Sequence, residues 1–258
     1  MLTEPLITEL KRLNLIGMAQ ALERQLHSPD AQRLGFEDRL GLMIQHEHTE
    51  RADKRMAQRL RWAKLPQSGC LEDLDTRTAR GIEPGQWTQL TDLAWIGQHL
   101  NLLITGPTGV GKSYLASALA HAACRADISV RCFRLPRLID ELIRYSALHK
   151  RSAFLRQLAR VELLVIDDFG LTPLTDSTVR DLLEILDDRY DRQSTLITSQ
   201  LPVDQWHAYL GDRTVADAIC DRLVHNAYKL NLKGDSMRKA KAISTKHATK
   251  TPPTAPKR

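Results

Sequence analysis

A glycine-rich segment with the spacing G-x-x-x-x-G-K-S runs from Gly106 to Ser113. Its glycines let the backbone curl so that successive N–H groups point inward at phosphate oxygens. The lysine, Lys112, reaches the β- and γ-phosphates, and the Ser113 hydroxyl is a ligand for Mg²⁺. The segment therefore predicts a site for a nucleoside triphosphate and Mg²⁺. We expect the nucleotide to be bound by Gly106, Pro107, Thr108, Gly109, Val110, Gly111, Lys112, Ser113 and Tyr114.

Two acids, Asp167 and Asp168, follow the apolar run Leu163–Ile166. This is expected of a central strand that delivers carboxylates to its C-terminal edge, where open α/β sheets bind ligands. Adjacent acids can divide the work: Asp167 holds Mg²⁺ through its water shell, and Asp168 polarises the water that attacks the γ-phosphate. On its own the pair is as well explained by solvated acids that end a strand. With the phosphate-binding loop upstream, it predicts the second half of a nucleotide hydrolase site.

Alternating strands and helices are expected to position both motifs. Helical periodicity predicts helices over 113–125 and 177–192, the second with Asp176 as its N-terminal cap. Such alternation indicates a parallel sheet covered by helices. The fourth strand ends in Ser199 and Gln200, where a side chain that senses the γ-phosphate is expected. Apolar runs predict the five strands near 101–105, 128–133, 161–166, 194–198 and 228–232.

The rest of the chain differs in character from this α/β part. Residues 222–258 contain ten basic residues and one acidic residue, or +9, which exceeds the +6 of the whole chain. Such a basic end commonly binds nucleic-acid phosphates, although it can also simply favour solubility. We divide the chain into a helical N-terminal domain at 1–65, a connector at 66–98, an α/β domain at 99–238 and a basic, disordered tail at 239–258.

Composition excludes several other classes. Charged residues make up 26% and apolar residues 42% of the chain, and no apolar run approaches the ~18 residues of a membrane span. The four cysteines lack C-x-x-C spacing, which argues against a zinc site or a disulfide framework. We interpret His46-Glu47-His48 as a solvated helix face, because alternate residues of a helix point apart. The start carries no secretory signal, so a cytoplasmic protein is expected.

Residues 101–238 resemble an AAA+ ATPase of the DnaA/DnaC initiator and helicase-loader clade, with five parallel strands after a small all-α domain. Within that clade the chain most resembles the IstB-type helper ATPases of insertion-sequence transposases, over nearly its full length except the tail. The matching stretches are 102–116, 163–170, 188–190, 194–202, 221–223 and 234–238, with Glu47, Arg51 and 61–66 in the N-terminal helices.

The resemblance implies roles for further residues. Gln200, or Ser199 beside it, is implied to be the first sensor, Arg222 an arginine finger that acts on a neighbouring subunit, and Arg238 the second sensor. Many relatives have Asn in place of Gln200, and most AAA+ proteins have Glu in place of Asp168. Gln can still hydrogen-bond a water, whereas the shorter Asp reaches less far and is expected to slow hydrolysis. Without the resemblance, Arg222 is simply a surface arginine.

The implied partners are duplex DNA, bound largely without sequence specificity, and a cognate transposase, while further copies form ATP-dependent rings or helical filaments. In the initiator clade, a helical element after the second strand faces DNA. The basic end of the N-terminal helices, with Arg61, Trp62 and Lys64, is either a charged helix face or a DNA or protein contact. Basic residues after the second strand that could contact phosphates include Arg137, Arg144, Lys150, Arg151 and Arg156.

Three other functions share parts of this pattern. A DnaC-like helicase loader has the same ATPase core but prefers single-stranded DNA, and only the N-terminal helices argue against it. A monomeric P-loop kinase needs neither a trans-acting arginine nor DNA. A non-catalytic nucleotide switch is disfavoured by the intact lysine and acid motifs. No N-K-x-D guanine motif occurs, which favours ATP over GTP.

Overall fold

The computed structural model describes residues 3–74, 81–234 and 236–237. The chain divides into two compact units, Met1–Arg59 and Leu60–Arg258. The division falls before the boundary expected at residue 65, because Leu60 and Ala63 pack into the core of the second unit. The region expected to act as a connector supplies Leu90 and Trp95 to the same core. It is therefore part of the second unit.

The first unit is helical, with α1 at Thr3–Arg12, α2 at Ile16–His27, α3 at Pro29–Gln32 and most of α4, which spans Phe36–Ala63. Gly17 lets α2 approach α4 closely, since a Cβ there would lie 2.6 Å from the Glu47 Cα. The solvated face expected at residues 46–48 is wrong for Glu47, which is buried. Its carboxylate accepts hydrogen bonds from Met18 N at 3.1 Å and Arg51 Nε at 2.6 Å. Burial raises the pKa of Glu47, but these bonds outweigh it and hold the pKa below its ordinary value.

The second unit contains a five-stranded parallel sheet in the order β2-β3-β4-β1-β5, which confirms the predicted fold class. Strand β4 therefore lies between β1, which leads into the phosphate-binding loop, and β3, which carries the two acids. The strands are β1 Asn101–Thr105, β2 Val130–Arg134, β3 Leu163–Phe169, β4 Ser194–Ser199 and β5 Ala227–Asn231.

Eight helices accompany the sheet in the described part of the second unit. The sequence placed the cap of the tenth helix one residue late, because Thr175, not Asp176, accepts the bond from Thr178 N. The helices are α5 Pro84–Thr91, α6 Ala94–Gly97, α7 Lys112–Arg125, α8 Leu135–Ala147, α9 Arg151–Arg160, α10 Asp176–Arg189, α11 Trp206–Leu210 and α12 Arg213–Val224. None of the helices in the described ranges is long and apolar enough to cross a bilayer.

Both faces of the sheet are covered, because successive strand residues point to opposite sides. In β1, Leu102 and Ile104 face one core with α7, whereas Leu103 faces the other core with α8, α9, α10 and α12. Strands buried on both faces need continuous apolar runs, as this sequence has. The polar residues of the strands are therefore concentrated at the ends.

Candidate nucleotide site

The phosphate-binding loop leaves the carboxyl end of β1, and α7 begins at Lys112. Gly106 has φ +142°, and a Cβ at this position would lie 2.3 Å from the Leu232 carbonyl oxygen. Gly109 has φ +86°, and a Cβ there would lie 2.3 Å from Ser236 Oγ. Both the backbone conformation and the packing require glycine here. The loop is thus curled as the motif predicts.

Lys112 folds back over this loop. Its ammonium Nζ donates hydrogen bonds to the carbonyl oxygens of Gly106 at 2.7 Å and Pro107 at 2.9 Å. Burial lowers the pKa of Lys112, and the negative charges of Asp167 and Asp168 partly oppose that effect. The lysine is therefore held at the loop by contacts that phosphate oxygens can replace.

Asp167 is bonded through one carboxylate oxygen only. Its Oδ1 accepts hydrogen bonds from Ser113 Oγ at 2.8 Å and from Thr198 Oγ1. Its Oδ2 is buried and has no hydrogen-bond partner among the described residues. A buried oxygen of this kind beside a serine hydroxyl fits Mg²⁺, which prefers hard oxygen ligands and is commonly held by one or two side chains together with substrate phosphates. The described residues contain no cluster of three or more His, Cys, Asp or Glu side chains that could hold a metal alone.

Asp168 adopts a left-handed conformation with φ +62°, which a non-glycine residue rarely does. Its backbone N–H donates to Thr198 Oγ1 at 3.2 Å, so one threonine hydroxyl contacts both acidic residues. Its Oδ2 forms an ion pair with Arg134 Nε at 3.2 Å. The left-handed backbone is held by the bond to Thr198, and the Asp168 side chain lines the same cavity as the loop.

Sequence reasoning missed Thr198 and Arg134. Thr198 lies on β4 and Arg134 ends β2, so each reaches the acids of β3 from a neighbouring strand. In the sequence, both residues are recognisable only as polar residues inside or at the end of a predicted strand. Their roles could be interpreted only once the strand order was known.

The two sensor candidates occupy different positions. Ser199 is fully buried, donates to the Phe169 carbonyl at 2.7 Å and accepts from Leu201 N at 3.0 Å. Gln200 lies at the loop, where its Oε1 accepts a hydrogen bond from Thr108 Oγ1 at 2.7 Å. The geometry favours Gln200 as the residue that faces a bound nucleotide.

These groups surround one cavity of about 400 Å³, a volume within the usual range of ligand pockets. Gln67 and Asp73, from the region that precedes the sheet, also line it. Asp167 lies buried behind Ser113. The predicted residues that line the cavity are Thr108, Gly109, Gly111, Lys112, Ser113, Tyr114, Asp168 and Gln200.

Arg222 is not among the described residues that line this cavity. Arg222 lies on α12 at the amino end of β1, where Asn101 Nδ2 donates to its carbonyl at 2.9 Å. Arg238 lies outside the described residues. The preceding residue, Met237, donates its N–H to the Gly109 carbonyl at 2.9 Å.

The predicted DNA-contacting residues lie on and between α8 and α9. Arg137 has an 80% exposed side chain, and Lys150 and Arg156 are also exposed. Arg144 pairs with Glu141 and lies over the Tyr145 ring. Arg151 differs, because its guanidinium bonds to Glu184 and Asp181 raise its pKa and tie α9 to α10. Arg151 thus makes an inter-helix contact in this structure, and DNA contact by all five residues stays a prediction.

Comparisons with known proteins find ATP-binding proteins among the relatives of this chain. A family described as IstB-like ATP binding protein matches residues 8–245. The insertion sequence ATP-binding protein y4pL of Sinorhizobium fredii is 45% identical over 93% of this chain and 98% of its own length. The insertion sequence IS21 ATP-binding protein of Pseudomonas aeruginosa is 32% identical over 93% of this chain and 92% of its own length.

Among solved structures, the crystal structure of DnaI is similar in fold. It has a TM-score of 0.55 and 22% identity, and the match covers 64% of this chain and 91% of that chain. At this identity the likeness shows the fold alone. The match at 8–245 extends further and includes most of the N-terminal helices.

Proposed function

The chain belongs to the family of IstB-like ATP-binding proteins, and we propose that it is an ATPase that assembles on duplex DNA and stimulates the transposase of an insertion sequence. The proposal of ATP hydrolysis rests on the arrangement of Lys112, Asp168 and Gln200 around one cavity. The Asp167 Oδ2 atom, which has no hydrogen-bond partner in the described structure, is buried behind this cavity. The relatives are named insertion sequence ATP-binding proteins, and these names support the proposed role in an insertion sequence.

The motif residues at the cavity have distinct roles in hydrolysis. The loop N–H groups and Lys112 bind the β- and γ-phosphates and stabilise the charge that develops on them. Ser113 Oγ and Asp167 Oδ2 would hold Mg²⁺, directly or through water, and the ion would supply positive charge that offsets the negative charge of the phosphates. The chain thus binds and polarises the nucleotide with residues from the loop after β1, from the start of α7 and from β3.

The attacking water is oriented by two further side chains. The Asp168 carboxylate accepts a proton from the water as it attacks the γ-phosphate, and Gln200 hydrogen-bonds the same water. The ion pair with Arg134 limits the rotation of this carboxylate. Because aspartate is shorter than the glutamate of most AAA+ proteins, we expect slow turnover, which suits a switch that stays assembled while ATP is bound.

Hydrolysis is completed by a second copy. Arg222 stabilises the γ-phosphate held by a neighbouring copy, and Arg238 of the chain that binds the nucleotide acts as the second sensor. Because ATP then lies between copies, its binding drives assembly into rings or helical filaments. A monomeric kinase would need no such arrangement.

DNA binding relies on charge rather than base recognition. Arg137, Arg144, Lys150 and Arg156 contact phosphates, and the basic residues 239–258 add to the attraction. The preference for particular targets then depends on how easily DNA bends. The helical unit Met1–Arg59 supplies the transposase contact. Transposition is favoured over helicase loading because the family match includes these N-terminal helices.

Electron microscopy of the full chain with duplex DNA tests the proposal. We expect rings or filaments on bent DNA with a non-hydrolysable ATP analogue, and none without nucleotide. The variant Lys112→Ala should fail to assemble under the same conditions. Isolated monomers with the analogue would instead support a small-molecule kinase, and assembly only on single-stranded DNA would support a helicase loader.

A further inference from the structure

Arg222 is anchored at the end of β1 that is remote from the phosphate-binding loop. Asn101, the first residue of β1, bonds to the Arg222 carbonyl, whereas the loop follows Thr105, the last residue. The five residues of β1 span about 16 Å. Arg222 therefore lies too far away to contact the phosphates bound by its own chain. A phosphate that it contacts belongs to another copy.

The guanidinium of Arg222 is held on two sides. Its Nε forms an ion pair with Asp187 in the last turn of α10, and its Nη1 donates to the Ala218 carbonyl at 2.9 Å, one turn earlier on α12. The Arg222 side chain remains 28% exposed. A guanidinium has five N–H groups in a planar fork, and in the described part of the chain no residue accepts from Nη2. The two contacts fix the plane of the fork and leave the Nη2 edge open.

We propose that Asp187 is the positioning residue for this arginine finger. Its carboxylate orients the Arg222 guanidinium so that the Nη2 edge meets the γ-phosphate of a neighbouring copy. An arginine ordered before assembly loses less rotamer entropy when the copies meet. The inference rests on the proposed trans role of Arg222 and assigns the Asp187 carboxylate a part in that role.

A structural role for Asp187, in which it only ties α10 to α12, makes a different prediction. A structural tie would change stability and assembly. A positioning role changes the rate of hydrolysis at the neighbouring site, at unchanged assembly and unchanged KM for ATP. The exposed neighbour Asp188 offers a matched control with the same charge on the same helix.

The experiment mixes two inactive variants with ATP, Mg²⁺ and duplex DNA. The Lys112→Ala chain does not assemble alone but keeps its arginine finger, and the Arg222→Ala chain keeps a phosphate-binding loop that can bind ATP. The two chains can therefore meet at that ATP, and the mixture restores hydrolysis if Arg222 acts in trans. Adding Asp187→Asn to the Lys112→Ala chain should lower the restored kcat at least about tenfold. Adding Asp188→Asn to that chain should leave it unchanged, and Asp187→Glu should recover part of the loss.

The possible results separate the two proposals. Equal restored rates with Asp187→Asn and Asp188→Asn would overturn the positioning role. A loss that follows a lower melting temperature or poorer assembly would also overturn it, in favour of the structural tie. If the mixture of Lys112→Ala and Arg222→Ala restores no ATP hydrolysis, the trans role of Arg222 is wrong, and the positioning role of Asp187 is wrong with it.

Discussion

The two ends of the parallel sheet both carry buried polar groups, but those groups are used differently. At the amino end, the buried Arg189 donates to the carbonyls of Leu158, Val161 and Ser194 and to Thr195 Oγ1. At the carboxyl end, Asp167 keeps one buried oxygen without a partner in the described structure. Buried polar groups whose bonding capacity is filled stabilise a fold, whereas an open one is costly unless a ligand completes it. The contrast indicates which end binds the nucleotide.

The largest expected effect that would test this contrast is on catalysis. Asp168→Asn should lower kcat for ATP hydrolysis about 10³-fold, because the amide accepts no proton from the attacking water. ATP binding should persist, so the variant should accumulate assembled complexes. Single-turnover hydrolysis and electron microscopy measure both properties. A kcat within threefold of the parent would remove Asp168 from catalysis.

The amino end should respond in stability rather than in chemistry. Arg189→Met should lower the free energy of unfolding by about 3 kcal/mol, because it leaves buried carbonyl groups unpaired. Urea denaturation measures this change, and Arg192→Met on the exposed surface is the control. Under native conditions the folded fraction should hydrolyse ATP at nearly the parental rate. A large fall in kcat at unchanged stability would contradict the division between the two ends.

A change at Thr198 tests whether the polar groups at the carboxyl end of the sheet serve the nucleotide site rather than packing. Thr198→Val keeps the shape of the side chain but removes the hydroxyl that contacts Asp167 and the Asp168 N–H. We expect about a tenfold lower kcat and a higher requirement for Mg²⁺, since both acids lose orientation. Thr198→Ser should restore both quantities. An unchanged Mg²⁺ dependence would limit Thr198 to packing.

The smallest expected effect concerns the basic tail. Deleting residues 239–258 should weaken DNA binding and reduce its dependence on salt, because fewer counterions are released from DNA. ATP hydrolysis without DNA should not change. Binding titrations over a range of salt concentrations measure the slope, and an unaltered slope would make the tail incidental to DNA binding.

Local motifs were sufficient to predict half of the site. The phosphate-binding loop and the Asp167–Asp168 pair are short segments whose chemistry depends on their own spacing. Ser199 and Gln200 could not be separated in the same way, because which side chain faces the cavity depends on where β4 ends. Thr198, Arg134 and Asp187 act across neighbouring strands or helices, so their contacts follow from the tertiary arrangement rather than from any local pattern.

The boundaries of elements were predicted less closely than their order. The apolar run suggested that β3 ends at 166, but the strand continues through both acids to Phe169 with an irregular register beside β4. Polar residues at a functional edge interrupt the hydrophobic pattern while the backbone continues to pair. The two acids of the site therefore made the end of β3 difficult to predict from the sequence.

Lys112 and Arg222 lie at opposite ends of one short strand, and this placement determines how many nucleotide sites in an assembly are completed by a neighbour. Each copy would accept an arginine at one end and donate one at the other. In an open filament, one terminal copy then always holds an ATP that no neighbour completes, whereas a closed ring has no such copy. The proposed hydrolysis rate per chain would rise with filament length and level off, so it would depend on how many copies have assembled.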